Sequence, residues 1–261
     1  MTFRPKLVAL DVDGTLVDER NAISPQTADA VRRLVDAGIP IVISTGRAVP
    51  GAFEVCERLE LPDGLAVCSN GAVLVGYRPV EVIHAVTFDA SEAVQRVLTE
   101  VPDAFVAVEE VGVGYRVNQP FPSGEIAGTI TVEDTDSLIS EPVTRVIIRA
   151  PSHDPHEFHA LVEGLGLTET NYYIGYTAWL DIAPLGVSKA SGLQRVADRL
   201  GFDPADVLAV GDGFNDVEML AWAGRGVAMG HAPEALKDAA DAVTGTVHED
   251  GLAAELARYV D

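Results

Sequence analysis

Cysteine is scarce in this chain, which has 261 residues and only two cysteines, Cys56 and Cys68. Two cysteines are too few for a fold held together by disulfides, and these two lack the spacing of a metal-binding pair. We therefore expect both to be reduced thiols that pack in a core like small apolar side chains.

Basic residues are also few. Eighteen lysines and arginines stand against 40 aspartates and glutamates, which gives a formal net charge of −22 at pH 7. Such a charge repels nucleic acids and anionic membrane surfaces, so we expect neither as a partner. It also repels phosphate, and a phosphate-binding site in this chain would need its own local cations.

Long apolar runs are missing as well. None approaches the about 18 residues that a membrane-spanning helix needs. Residues 1–6 lead directly into the first apolar run, which predicts no signal peptide and a cytoplasmic location. The apolar content of 48% and the charged content of 22% are typical of a folded chain with one or two domains.

Apolar and amphipathic segments alternate over residues 7–68. Apolar runs at 7–10, 39–43 and 65–68 predict strands, and the patterns at 24–38 and 48–59 predict helices. Ser24 and Pro25 are typical of a helix N-terminus, and Gly38 is typical of a C-terminal stop. This order predicts an α/β fold with a doubly wound, Rossmann-like parallel sheet.

Residues 80–184 have a different character. Strand-like runs at 111–117, 145–148 and 179–182 mix with helical patterns at 90–101 and 155–164, which predicts an inserted α+β unit. This segment has a net charge of −13, because 17 acidic residues stand against four arginines and no lysine. The arginines are Arg96, Arg116, Arg145 and Arg149.

The α/β alternation resumes after residue 184. A helix is predicted over 188–200, a strand over 207–210, a helix over 216–223 and a strand over 226–229, followed by two closing helices. We therefore predict one unit made of residues 1–79 and 185–261, and a second unit made of residues 80–184.

Chemically useful residues follow the predicted strands of the first unit. Asp11 and Asp13 come after the first strand, and Ser44 and Thr45 come after the second. A later strand ends in a glycine-rich acidic turn that contains Asp212, Asn215 and Asp216. Carboxylates in such positions can hold a divalent cation or act as nucleophile and acid/base, although aspartate and glycine are also common in plain turns.

Lys189 stands in the first turn of a predicted helix. The helix dipole disfavours a cation there, so we expect this ammonium group to face an anion rather than to stabilise its own helix. Parallel strands bring their carboxyl ends to one edge of a sheet. Carboxylates, a hydroxyl, open backbone N–H groups and one lysine at that edge predict a phosphate site with Mg²⁺ beside it.

These motifs resemble those of the haloacid dehalogenase-like superfamily, in particular its Cof-type branch with a large inserted α/β cap. The sequence Asp-Val-Asp-Gly-Thr at 11–15 matches the first motif, Thr45-Gly46-Arg47 the second, Lys189 the third, and residues 211–216 the fourth. The stretches 69–72 and 184–190 match the flanks of the cap. The resemblance covers essentially the whole chain and is weakest in the cap.

The resemblance implies a role for each matching residue. Asp11 would attack phosphorus and form an aspartyl-phosphate, and Asp13 would act as general acid and then as general base. Lys189 would neutralise the nucleophile and the transferring phosphoryl group. The phosphate would contact the segment Ser44, Thr45 and Gly46, with Thr45 favoured over Ser44, and also Asn215.

The resemblance also implies a Mg²⁺ cofactor. Its ligands would be Asp11, the backbone carbonyl of Asp13, and Asp212, while Asp216 would orient waters or Lys189 from behind them. Two residues stay open at this point, since Arg47 and Asn70 could serve the site or simply fix a loop.

Three histidines and two tryptophans are assigned plainer roles. His153, His156 and His159 have no standard metal-ligand spacing and are predicted to lie on a solvated helix face. Trp179 and Trp222 are predicted to pack in cores.

The resemblance implies a Mg²⁺-dependent phosphatase of small phosphate monoesters, such as sugar phosphates. Two alternatives remain: a phosphomutase similar to phosphomannomutases, and a non-catalytic module that binds a phosphorylated metabolite. A mutase would need cations in the cap for a second phosphate, for example Arg145 and Arg149. The sequence leaves open the identity of the ester and the oligomeric state.

Overall fold

The structure is a computed structural model, and it describes residues 3–167, 170–174 and 177–260. Two sheets organise the chain. We call the eight-stranded sheet with its helices the body, and the six-stranded sheet with its helices the cap. Within the described ranges, no helix is both long enough and apolar enough to cross a membrane.

The body sheet has the order β14-β13-β12-β1-β2-β3-β4-β5. Strands β14 to β3 in this order are parallel to one another. The bounds are β1 Leu7–Leu10, β2 Ile41–Ser44, β3 Gly64–Cys68, β4 Val73–Tyr77, β5 Glu81–Ala85, β12 Val207–Gly211, β13 Arg225–Ala228 and β14 Ala242–Val243. The predicted parallel α/β sheet is confirmed, and β12, β1 and β2 lie side by side at its centre.

Helices cover both faces of this sheet. Leu10 and its alternate neighbours pack with α1 Pro25–Asp36, α2 Val49–Arg58 and α9 Gly251–Leu256. Ala9 and its neighbours pack on the other face with α6 Lys189–Leu200, α7 Val217–Trp222 and α8 Glu234–Ala239. Because successive residues of a strand point to opposite faces, a strand that is apolar at every position is buried on both sides.

Three strands of the body, β4, β5 and the two-residue β14, were not predicted. β4 and β5 form an antiparallel hairpin that continues the sheet beyond β3. β5 therefore belongs to the body sheet, although its residues 81–85 fall inside the predicted inserted unit of 80–184. The division of the chain into two domains itself stays a prediction.

The cap sheet has the order β10-β11-β9-β6-β7-β8. Its strands are β6 Phe105–Glu110, β7 Gly114–Val117, β8 Thr129–Val132, β9 Val146–Arg149, β10 Thr170–Ile174 and β11 Trp179–Pro184. Its helices are α3 Ser91–Glu100, α4 Thr135–Leu138 and α5 Pro155–Leu165. The predicted strand at 111–117 is wrong in its first half, because residues 111–113 form the turn of the β6–β7 hairpin.

The two faces of the cap sheet differ. One face packs with α3 and α5 in an apolar cluster that includes Val106, Ile148 and Leu180. The opposite face carries Glu109 and Asp181, whose side chains contact Ser69 and Asn70 of the body, and Arg145, which pairs with Asp181. The strand alternation thus separates a structural face from a face that is available to a site.

Candidate active site

The centre of the site is a buried ion cluster around Lys189. Its ammonium group donates hydrogen bonds to Asp11 Oδ1 at 2.5 Å and to Asp216 Oδ1 at 2.6 Å. Lys189 is fully buried at the first residue of α6, and Ser188 caps that helix. The lysine thus lies where the helix dipole disfavours it because two carboxylates on neighbouring strand ends compensate its charge.

The loop after β12 is organised by Asp216. Its Oδ2 accepts hydrogen bonds from the backbone N–H groups of Asp212 and Gly213, at 3.0 and 2.9 Å. A Cβ at position 211 would overlap the Asp216 side chain, so the turn requires the glycine found there. One carboxylate therefore fixes both the loop and the lysine.

Asp11, Asp212 and Asp216 form a candidate cation site. One carboxylate oxygen from each lies within 4.8 Å of the others. The Thr15 hydroxyl donates to Asp212 Oδ1 at 3.4 Å. An all-oxygen donor set with few carboxylates suits Mg²⁺, so the residues present fit this ion. The carboxylate of Asp216 lies in this cluster, and that of Asp13 does not.

Burial and crowding shift the acidity of the cluster. Burial, followed by the nearby charge of Asp216, raises the pKa of Asp11 well above its ordinary value, while Lys189 acts in the opposite direction. Burial also raises the pKa of Asp212. A bound cation would favour the ionised form of both groups. The cluster therefore has more negative charge than Lys189 alone neutralises.

Asp13 lies at the mouth of the site and pairs with Arg47. The guanidinium contacts both carboxylate oxygens, with Nη2 2.5 Å from Oδ1 and Nε 3.0 Å from Oδ2. Arg47 Nη2 also donates to Asn21 Oδ1 at 2.9 Å. Arg47, whose role the sequence left open, is thus a partner of the predicted acid/base.

The segment after β2 contains the predicted phosphate-binding residues. Thr45 Oγ1 accepts a hydrogen bond from the backbone N–H of Arg47 at 3.0 Å, which leaves its own proton to donate. Ser44 Oγ is buried and has no hydrogen-bond partner among the described residues. Gly46 lies against the Asn70 side chain, where a Cβ would approach Asn70 Oδ1 to 3.1 Å.

Asn70 connects the body to the cap. Its Oδ1 accepts from Asn215 Nδ2 at 2.9 Å, and its Nδ2 donates to Asp181 Oδ2 at 3.1 Å. The neighbouring Ser69 donates to Glu109 Oε2 at 2.6 Å. Ser69 and Asn70 both have positive φ angles, of 52° and 53°, which residues other than glycine seldom adopt. These tertiary contacts hold the strained loop in place.

On the cap side, Arg145 completes this network. It contacts Asp181 through Nε at 2.7 Å and Nη2 at 2.5 Å, and it donates to the Tyr115 hydroxyl at 2.8 Å. Arg145 and Asp181 are both buried, with side-chain exposures of 7% and 8%. Burial alone would lower the pKa of Arg145, but the charge of Asp181 raises it overall, so this arginine stays charged.

A cavity of about 890 Å³ lies between the cap and the body. On the body side, the cavity is lined by residues at the entrance of the site, including Asp13, Arg47 and Asp212. From the cap it is lined by residues of the sheet face and of the segment 124–127. A small molecule in this cavity would touch Asp13, Asp212 and the cap at the same time.

His231 and Thr15 belong to the site but were not predicted. His231 Nε2 lies 3.4 Å from Asp212 Oδ2, and Thr15 contacts the same carboxylate. Thr15 stood in the recognised first motif, so its hydroxyl could have been included. His231 follows a strand at 226–229 that carries no other chemical signal, and only the fold brings it to Asp212.

Several peripheral predictions can now be compared with the structure. Cys56 and Cys68 are free and buried, as predicted. His156 and His159 are exposed on α5, and His159 contacts Glu163. The prediction that Trp179 is a core residue is wrong in part, because this side chain is partly exposed and lines the cavity.

Comparison with known proteins gives consistent matches over the whole chain. A family model for haloacid dehalogenase-like hydrolases matches residues 8–256. The chain is 32% identical to the 5-amino-6-(5-phospho-D-ribitylamino)uracil phosphatase YitU of Bacillus subtilis, with 99% of both chains covered. It is also 32% identical to the pyridoxal phosphate phosphatase YbhA of Escherichia coli, with 95% of this chain and 96% of the relative covered.

The fold is also similar to that of solved structures from this superfamily. A phosphatase of the HAD enzyme superfamily from Bacteroides thetaiotaomicron superposes with a TM-score of 0.80 and 30% identity. That alignment covers 98% of this chain and 95% of the other. The similarity therefore includes the body and the cap together.

Proposed function

Because the chain belongs to the haloacid dehalogenase-like family of hydrolases and is a phosphatase of that family, we propose that it hydrolyses small phosphate monoesters with Mg²⁺ and through an aspartyl-phosphate on Asp11. The observation that carries this proposal is the buried contact of Lys189 with Asp11 and Asp216, with Asp212 beside them. A lone turn of aspartates would not need a desolvated lysine at its centre.

Asp11 supplies the nucleophile. One of its oxygens bonds to phosphorus while the bond from phosphorus to the leaving oxygen breaks. Lys189 orients the Asp11 carboxylate and stabilises the charge that develops on the phosphoryl oxygens. Mg²⁺ held by Asp11, the Asp13 carbonyl and Asp212, with Asp216 behind them, would supply further polarisation of the phosphoryl group.

Asp13 moves the protons. It gives a proton to the leaving oxygen, and it then takes a proton from the water whose oxygen attacks phosphorus as the bond to Asp11 breaks. The products are the free alcohol and inorganic phosphate. The Arg47 guanidinium contacts both carboxylate oxygens of Asp13, so Asp13 can exchange a proton with the substrate only when this contact loosens.

The phosphoryl oxygens would be held by the segment after β2 and by Asn215. Two hydroxyls are available there, since Ser44 Oγ is unpartnered within the described structure and Thr45 Oγ1 still has a proton to donate. Gly46 leaves its backbone open to a close approach by the phosphate. Asn215 is oriented for this role by its contact with Asn70.

The phosphomutase alternative is weaker. A mutase must hold a second phosphate with cap cations, but Arg145 is paired with Asp181 and Arg149 with Glu125. The non-catalytic alternative is also weaker. Burying Lys189 among three carboxylates costs desolvation energy, and binding a metabolite alone does not require such a buried cluster.

The relatives suggest a substrate panel. Two of them are named for the hydrolysis of pyridoxal phosphate and of a phosphorylated ribitylaminouracil. We propose that the substrate is a small phosphorylated metabolite of this size range, and the sugar phosphates that the sequence suggests belong in the same panel. We also propose a cytoplasmic location.

The proposal is tested by measuring phosphate release from 4-nitrophenyl phosphate. We expect activity with Mg²⁺, loss of activity in excess chelator, and a decrease in kcat of at least about a thousandfold in Asp11→Asn. The surface variant Asp29→Asn, at a residue whose side chain is 57% exposed, serves as the control and should retain full activity.

Two results would contradict these assignments: substantial turnover by Asp11→Asn, or full wild-type activity without divalent cations. Incubation of a hexose 1-phosphate with its bisphosphate activator separates the mutase alternative, which would yield the 6-phosphate instead of free phosphate.

A further inference from the structure

The cap face of the cavity has a polar half and an apolar half. Cross-strand pairing puts Glu109 beside Arg145 at one end of this face, and Phe105 and Trp179 on either side of Arg149 at the other. In the polar half, the charged side chains pair with one another and with the body loop at Ser69 and Asn70. The apolar half faces the cavity through Ile126, Ile147 and Trp179.

Trp179 is held in a fixed orientation. Its ring meets Phe121 edge to face at 6.5 Å, and Phe121 meets Phe105 in the same way at 5.7 Å. The aromatic cluster is packed on the cap sheet, and Trp179 is its member that lines the cavity. A rigid, partly exposed indole of this kind offers a flat apolar surface to a ligand.

The charges that line the cavity disfavour an anion. Six carboxylates and two guanidinium groups line it within the described structure. Arg47 is paired with Asp13, and Arg145 is paired with Asp181. The two lining histidines also face carboxylates, with His231 3.4 Å from Asp212 and His248 3.2 Å from Glu19.

We propose that the leaving group of the substrate is a flat aromatic or heteroaromatic ring that carries no second anionic group, and that it packs against Trp179. This inference rests on the proposed phosphatase function and narrows it to one class of ester. A ring on Trp179 gains apolar contact and aromatic packing. A carboxylate or second phosphate there would meet the negative lining, and both guanidinium groups among the described lining residues are already paired with carboxylates.

Three synthetic esters isolate these two features. Benzyl phosphate, cyclohexylmethyl phosphate and 4-carboxybenzyl phosphate all release a primary alcohol, so their intrinsic reactivities are closely matched. The first two differ in the flatness of the ring, and the first and third differ by one negative charge. We expect kcat/KM for benzyl phosphate to exceed that for cyclohexylmethyl phosphate about fivefold and that for 4-carboxybenzyl phosphate about tenfold.

Two variants connect these preferences to residues. Trp179→Ala should reduce the preference for benzyl over cyclohexylmethyl phosphate to near unity, whereas Trp222→Ala, at the other tryptophan, should leave that ratio unchanged. A ratio of two substrates is insensitive to the fraction of enzyme that is folded. The test therefore remains valid if either variant is less stable.

The charge argument has its own matched pair of variants. Glu125 lines the cavity and lies 3.3 Å from Arg149. Glu133 lies the same 3.3 Å from Arg116 but is not among the lining residues that the structure describes. Glu125→Gln should raise the relative kcat/KM for 4-carboxybenzyl phosphate about threefold, and Glu133→Gln should not change it.

The outcomes separate this inference from the function itself. Wild-type protein that releases no phosphate from 4-nitrophenyl phosphate with Mg²⁺ overturns the proposed phosphatase, and this inference with it. Protein that hydrolyses 4-nitrophenyl phosphate but lacks either preference, or keeps the ring preference in Trp179→Ala, overturns this inference alone.

Discussion

Removal of the Asp181 carboxylate should leave the Arg145 guanidinium buried in the cap without its main partner. In Asp181→Ala, Arg145 loses two hydrogen bonds, at 2.7 and 2.5 Å, and Asn70 loses one at 3.1 Å. Arg145 cannot escape by deprotonation, because the pKa of a guanidinium lies above any accessible pH. The substitution therefore creates an uncompensated buried charge.

The expected loss of stability follows from the burial of the pair. Breaking a buried ion pair by removing one partner costs about 3–5 kcal/mol. Arg145 keeps the Tyr115 hydroxyl at 2.8 Å, and Glu109 remains close enough to influence its charge. We therefore expect the lower end of that range, about 3 kcal/mol in the free energy of unfolding of the cap.

Urea denaturation followed by tryptophan fluorescence measures this loss. Trp179 lies in the cap and Trp222 in the body, so a Trp222→Phe background makes the emission report on the cap alone. The control is Glu92→Ala, which breaks the Arg96–Glu92 pair. That pair has the same 2.5 Å separation, but its side chains are 47% and 72% exposed, and we expect a change within about 0.5 kcal/mol.

The reasoning is refuted if Asp181→Ala destabilises the cap by less than about 1 kcal/mol, no more than an ordinary hydrogen bond. A double variant, Arg145→Met with Asp181→Leu, gives a further check. It removes both charges and fills the space with apolar groups, so we expect it to recover at least half of the loss.

Two other predictions concern buried groups. Burial raises the pKa of Glu109 above its ordinary value of 4.5, so the folded protein binds this proton more tightly than the unfolded chain does, and the contribution of Glu109 to stability falls as pH rises above 4.5. The unfolding free energy of Glu109→Gln relative to wild type should therefore increase between pH 4.5 and pH 8 in urea titrations, and a constant difference would contradict the shift. Cys56 and Cys68 should not react with a thiol reagent at pH 8 in the native protein, because both are buried and burial raises the pKa of Cys56 to about 12. Both thiols should react once the protein is denatured, and a fast native phase would contradict their burial.

The sequence was most informative where local pattern and fold coincide. Short apolar runs predict the central strands, because a strand buried on both faces must be apolar at every position. Parallel strands end at one edge, so Asp11, Thr45 and Asp212 could be expected to meet although they are far apart in the chain. Lys189 could be assigned to the site because the helix dipole disfavours a cation in the first turn, so the lysine was expected to face an anion.

The sequence was less informative where a segment lacks a clear pattern of apolar and polar residues. β5 has exposed residues at most positions, so its pattern resembles a loop, and only its pairing with β4 makes it a strand of the body. The turn at 111–113 contains two valines, which favour a strand in isolation, but the β6–β7 hairpin reverses there. Tertiary pairing overrides local propensity at such edges.

The α/β body, the strand-end carboxylates and the lysine could be predicted from the sequence alone, because each follows from a local pattern or from the geometry of parallel strands. Three features are visible only in the folded molecule: Asp13 pairs with Arg47, Asn70 contacts Asp181 across 111 residues, and Trp179 lines the cavity. Asp13 and Arg47 both follow strands of the body, whereas the contacts of Asn70 and Trp179 depend on how the cap sheet lies over the body. No local pattern encodes that arrangement, because it results from packing between segments that are distant in the chain.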